Sequence, residues 1–142
     1  MTQRKYAAKT TVSPDKSQLE IKKLLLNTGA ERIGILEEKL TAVIIFELKN
    51  RRIMFRLSLP NRQQYRSQAS FDQDVRQRWR SLVLVLKAKL EAVSSGLVTL
   101  EEEFLAHTVM PDGSTFGSWA LPQVAQVYQT GQMPPMLPGG KA

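Results

Sequence analysis

The chain has 142 residues, 42% apolar and 23% charged, proportions that suit one globular domain around one hydrophobic core. It has no cysteine, which excludes disulfides, thiol catalysis and cysteine-ligated zinc. No apolar run approaches the ~20 residues that cross a bilayer, and the basic start MTQRKYAAKTT lacks the apolar stretch of a secretory signal.

Net charge is +7 and unevenly spread. Residues 1–70 hold 14 Lys and Arg against 6 Asp and Glu, whereas residues 71–142 hold 6 against 7. The positive excess therefore belongs to the first half. Such a half suits a polyanion, usually nucleic acid, or serves solubility alone.

Residues 1–12 alternate weakly, with Tyr6, Ala8, Thr10 and Val12 on one side. They read as an edge strand or as a basic arm carrying Arg4, Lys5 and Lys9. Ser13-Pro14-Asp15 opens a helix, because Ser caps the free N–H groups and Pro suits the first helical position. Ser17 with Glu20 is a competing capping box. Ile21, Leu24 and Leu25 form the buried stripe, and Asn27-Thr28-Gly29 ends the helix.

Three strand-like runs follow. Residues 31–37 place Ile33 and Ile35 on one face, and Glu38-Lys39 marks a turn. Residues 41–49 put Ala42, Ile44, Phe46 and Leu48 on one face and Val43, Ile45, Glu47 and Lys49 on the other. Asn50-Arg51 reads as the tight connection. Residues 52–59 then turn Ile53, Phe55, Leu57 and Leu59 inward, and Arg52, Met54, Arg56 and Ser58 outward. Alternation of period two over this length predicts an antiparallel meander with one face on the helices. Residues 61–70, rich in Arg and Gln, read as an exposed mobile loop holding Tyr65 between Arg62 and Arg66.

The clearest helix runs from Phe71 to Gly96. Val75, Trp79, Leu82, Leu86, Leu90 and Val93 recur at three- and four-residue steps on one face, and Arg76, Arg78 and Arg80 lie off it. Asp72 and Asp74 are placed in its first turn. Thr99 and Glu102 form a capping box that opens a short acidic helix to about Ala106. Residues 107–110 read as a short strand, residues 111–114 as a turn, and Thr115-Phe116 as its return. Pro122 is expected to begin a last helix that buries Val124, Val127 and Tyr128 and stops at Gly131. The segments are thus a basic arm or edge strand over 1–12, one α+β domain over 13–130, and a Pro/Gly-rich tail over 131–142. The expected fold is (β)-α-β-β-β-α: a three- to four-stranded meander packed on two helices, its core finished by the C-terminal hairpin and helix. The helix–meander–helix order also occurs in double-stranded-RNA-binding domains, but their loop and lysine signatures are missing here.

The first candidate site is the outward sheet face. Lys49, Arg52 and Arg56 project there, Arg32 joins from the first strand, and the loop adds Arg62, Tyr65 and Arg66. Cations spaced along a pleated surface track a phosphate backbone, and a nearby ring stacks on a base. Val43, Ile45 and Met54 share that face, so it also reads as a covered interface, including one between two copies of the chain. The second candidate is the helical group Arg76 and Arg80, with Lys87, which suits phosphate contacts or a solvated helix face. Catalysis has thin support. His107 is the lone histidine, and Glu101, Glu102 and Glu103 with Asp112 are the only carboxylates that suggest a metal-dependent nuclease. Consecutive glutamates diverge around a helix, so neither a metal nor a cofactor is expected.

Taken together, the runs YAAKTTVSPDKSQLEIKKLL, NTGA, RRIMFRLSLP, RQRWRSLVLVLKAKLEAVSSG, EEEFLAHTVMPDGSTFG and QMPPMLPGG resemble a family of short proteins of tailed bacteriophages and prophages with no established activity. The resemblance covers nearly the whole chain and carries over no functional residue. It implies a phage protein acting in the host bacterial cytoplasm with no membrane partner. The leading expectation is a non-enzymatic accessory protein that binds nucleic acid, DNA rather than RNA. The alternative is an inhibitor that binds a host defence or metabolic protein, and the third is the metal-dependent nuclease.

Overall fold

The computed structural model describes residues 7–134. Along the chain run α1 (Pro14–Thr28), β1 (Arg32–Glu37), β2 (Thr41–Leu48), β3 (Arg51–Ser58), α2 (Gln68–Ser94), α3 (Leu100–Glu103) and α4 (Phe116–Thr130). The strands form one antiparallel sheet in the order β1-β2-β3, giving an α+β fold. Ala7, Ala8 and Lys9 form a turn, and residues 10–13 carry no strand. Tyr6, Arg4, Lys5 and the tail from 135 onward lie outside the described residues.

The meander keeps the expected faces. Ile35, Ile44 and Phe55 line up across the strands, as do Ile33, Phe46 and Ile53. Ala42, Ile44, Phe46, Leu48, Ile53 and Phe55 are buried. The β2–β3 turn sits one residue earlier than the sequence suggested. Leu48 pairs directly with Arg51, and Lys49 and Asn50 turn the chain with φ of 50° and 63°. Left-handed conformation at both central residues matches the strand twist of a two-residue hairpin, and Asn adopts it more readily than most residues.

Two helices cover the inner face. In α1, the Ser13 hydroxyl accepts from the Lys16 N–H, Pro14 opens the helix, and Gly29 closes it at φ 103°. Ile21 and Leu25 are fully buried. α2 begins at Gln68, capped by Ser67, three residues before Phe71. Asp72 and Asp74 therefore fall in its second turn. Trp79, Leu82, Val83, Leu86 and Leu90 are buried in the cluster that holds the sheet residues, with Val75 and Val93 packed on its margin. The Gln73 amide donates to the Ala8 and Thr10 carbonyls, just before α1, and Arg80 reaches Glu20 on α1. The two helices consequently run side by side in the same direction.

α3 carries the expected capping box between Thr99 and Glu102. Phe104 behind it is fully buried and meets Phe46 and Phe55 edge-on, with ring centroids 6.0 and 6.1 Å apart. Thr108 bridges to Ile53 and Val109 to Thr115, so the C-terminal hairpin leans on the β3 edge. α4 departs from expectation. It starts after a Thr115 cap, holds Pro122 in its interior, and ends at Gly131. Its one buried residue is Gly117, whereas Val124 and Tyr128 are 50% and 86% exposed. α4 does not finish the core. Among the described residues, no helix is long and apolar enough to cross a membrane.

Candidate nucleic-acid interface

On the outer sheet face the register builds three rows. Arg32, Glu47 and Arg52 lie across the strands, then Gly34, Ile45 and Met54, then Leu36, Val43 and Arg56. Both guanidinium groups of the first row turn to Glu47. Arg52 Nη2 is 3.1 Å and Arg32 Nη1 3.9 Å from its Oε2. The exposed ends of these arginines stay in solvent on either side of the carboxylate. Arg56 follows four residues along β3 on the same face and is exposed. That is a separation of about 13 Å at strand rise. Glu47 is the single carboxylate in these rows. Val43, Ile45 and Met54 are half-buried, and no aromatic ring lies among them. The face therefore suits phosphates and offers no base-stacking platform. Lys49 stands at the exposed hairpin tip. Beside the tip, an open cleft of about 470 Å³ is lined by Glu31, Glu47, Arg51, Arg52, Met110 and Pro111 among others.

The loop residues have other employment. Arg62 donates to the Gln68 side chain at 3.1 Å and to the Tyr65 carbonyl at 2.8 Å. The Tyr65 hydroxyl donates to Asp74, and its ring meets Phe71 edge-on at 5.7 Å. The bond to Asp74, with burial, raises the phenol above its ordinary value. Arg78 also grips Asp74, at 3.3 Å, and the Ser58 carbonyl, at 2.9 Å. The segment expected to be a mobile loop is a short 3-10 turn, and Tyr65 fastens it to α2. Arg66 remains exposed beside it.

Arg76 and Arg80 lie in the helix layer, across the core from the sheet's outer face. Arg76 donates to Gln73, and Arg80 to Glu20 at 2.6 Å. The eight residues singled out from sequence thus divide into a sheet group (Lys49, Arg52, Arg56), a loop group (Arg62, Tyr65, Arg66) and a helix group. Arg32, which the sequence placed on this face from the first strand, takes a full place in the row because the pairing of β1 with β2 sets it opposite Glu47. The pairing of Glu20 with Arg80, sixty residues away, was not legible in the sequence.

The acidic candidates are each committed locally. Glu101 faces Arg51 at 3.6 Å, Glu103 faces Lys89 at 3.0 Å, and Glu102 closes the capping box. Asp112 holds the turn by accepting from the Ser114 N–H and hydroxyl. Bonds from the Thr99 backbone and hydroxyl lower Glu102, and bonds from Ser114 lower Asp112. Among the described residues, no group of three or more His, Cys, Asp or Glu side chains could hold a metal ion. His107 stacks on Phe55 with centroids 3.9 Å apart. Burial, then the Lys89 charge, lower its pKa, and a backbone hydrogen bond with Met54 opposes them.

No family model matches the chain, and neither a curated protein nor a solved structure matches it.

Proposed function

We propose that this protein is a non-enzymatic accessory protein that binds nucleic acid through the outer face of its sheet. The observation that carries the reading is a row in which Arg32 and Arg52 flank one carboxylate, Glu47, with Arg56 exposed four residues along β3 on the same face. Lys49 extends the cationic row to the hairpin tip. Such a surface contacts phosphates and reads no base edges, so binding is weakly sequence-dependent and strongly salt-dependent. Three to four phosphate contacts give log K falling against log salt with a slope of about −3 on duplex DNA. The resemblance to phage proteins favours DNA over RNA and the host bacterial cytoplasm as the place of action.

The test is fluorescence anisotropy with labelled single- and double-stranded DNA and RNA at two salt concentrations. The wild-type chain is expected to bind duplex DNA at low salt, and the triple variant Arg32→Glu, Arg52→Glu, Arg56→Glu to lose that binding while keeping its circular dichroism. No binding at low salt, or equal binding by the folded triple variant, refutes the reading.

A further inference from the structure

Among the described residues, α4 is an apolar helix that meets the rest of its chain near its first turn. Residues 116–130 contain no Asp, Glu, Lys, Arg or His, in a chain of net charge +7. Phe116, Trp119, Ala120, Val124, Val127 and Tyr128 recur at three- and four-residue steps, and together with Met133 and Pro134 they line an open apolar cleft of about 340 Å³. That repeat is the pattern of a helix packed against another helix. Here Trp119 is 60% exposed, Tyr128 86% and Met133 68%. The helix is held at its first turn. Gly117 lies against Ala106, so close that an added Cβ would stand 2.8 Å from the Ala106 carbonyl oxygen. From there to Gly131 it projects from the body.

We propose that α4 is a self-association helix and that two copies of the chain pair through it, antiparallel, about a two-fold axis near Gln123. The inference goes beyond the nucleic-acid reading and does not depend on it. Two features select a second copy as the occupant. An uncharged stripe is complementary to itself, as a two-fold interface requires, and it is where two basic chains meet without opposing charges. The exposed rings and aliphatic chains amount to about 500 Å² per copy, because one aromatic side chain covers ~150–250 Å². Two copies therefore bury about 1,000 Å², the size at which specific interfaces begin. The root at Gly117 sets the direction. Parallel pairing would crowd two positively charged bodies at one end, whereas antiparallel pairing holds them at opposite ends.

Light scattering coupled to size exclusion tests the association, and disulfide trapping tests the geometry. The full chain is expected to run at twice its 16.0 kDa mass at about 100 µM, an ordinary concentration range for an interface of this size. The double variant Val124→Lys, Tyr128→Lys changes exposed positions and is expected to run as a monomer with unchanged circular dichroism. Because the chain has no cysteine, single cysteines report cleanly. Gln123→Cys is expected to cross-link to its own copy, and Tyr128→Cys to do so poorly. A full chain that stays at 16.0 kDa up to about 1 mM overturns the proposal, whether residues 135–142 or another protein then covers the face. A double variant that remains a dimer overturns it too, and equal trapping at both cysteines overturns the antiparallel arrangement.

Discussion

Glu47→Gln separates the stability of the sheet face from its proposed binding, because the two are expected to move in opposite directions. Glu47 accepts from Arg52 at 3.1 and 3.3 Å and stands 3.9 Å from Arg32. Its side chain is 27% exposed, but those of Arg52 and Arg32 are 53% and 76% exposed, so solvent screens both pairs. Exposed pairs contribute about 0–1 kcal/mol each, and the glutamine oxygen still accepts a bond, so the variant should lose about 1 kcal/mol or less. A phosphate approaching this row must compete with the Glu47 carboxylate for Arg52. Without that competitor, one further phosphate contact steepens the salt slope by about 0.9 on duplex DNA. A gain of about 1.4 kcal/mol would tighten binding tenfold, and a three- to tenfold gain is expected at low salt. The assay pairs anisotropy titrations over a salt series with urea unfolding of the same samples. Unchanged or weaker DNA binding by a folded Glu47→Gln protein would refute the reasoning, since it would mean that phosphates do not meet Arg32 and Arg52.

The remaining expectations concern folding as well as binding. Phe104→Ala empties a fully buried site between Phe46 and Phe55 and should cost about 3–5 kcal/mol, read as a fall in the denaturant midpoint. Lys49→Gly relieves left-handed backbone at φ 50° and should leave stability equal or higher by up to about 1 kcal/mol, while DNA binding weakens by one cation. His107 is lowered by burial, so the folded state favours the neutral ring. On acidification the unfolded chain takes up that proton first, from about pH 6.5 downward, and stability should fall with pH there. The lowered Glu102 and Asp112 lose their share only in the carboxylate range below. Thermal scans from pH 7.5 to 5 should show the first loss, and His107→Phe, which keeps a ring on Phe55, should flatten it.

Patterns that repeat within one element were legible in the sequence. The alternation from Ala42 to Phe55 named the buried face, because side chains on a strand have only two directions. Ser13 and Thr99 announced helix starts through bonds made within three residues. What failed depended on partners. Val124 and Tyr128 have helical spacing, but spacing defines a face and not what covers it. Pro122 looked like a helix start, and the real one lies at Thr115, whose cap was hidden by the preceding turn. Of the basic site, the side of the sheet was readable from period two. That Tyr65 would be used by Asp74, and Arg80 by Glu20, depended on how α2 settles against its neighbours.

The parallel seating of α1 and α2 has a consequence for how the molecule comes to be folded. The meander is made of near-neighbour contacts joined by short turns, the kind that form early. The contact between α1 and α2 closes a span of about sixty residues and comes at a much larger entropic cost. During synthesis the whole sheet emerges before Trp79. Until α2 follows, Ala42, Ile44, Phe46 and Ile53 have only α1 to shelter them, on a sheet whose edges are open. A chain halted at about residue 65 is therefore expected to be sticky and prone to aggregate, and the arrival of the long helix turns an aggregation hazard into a core.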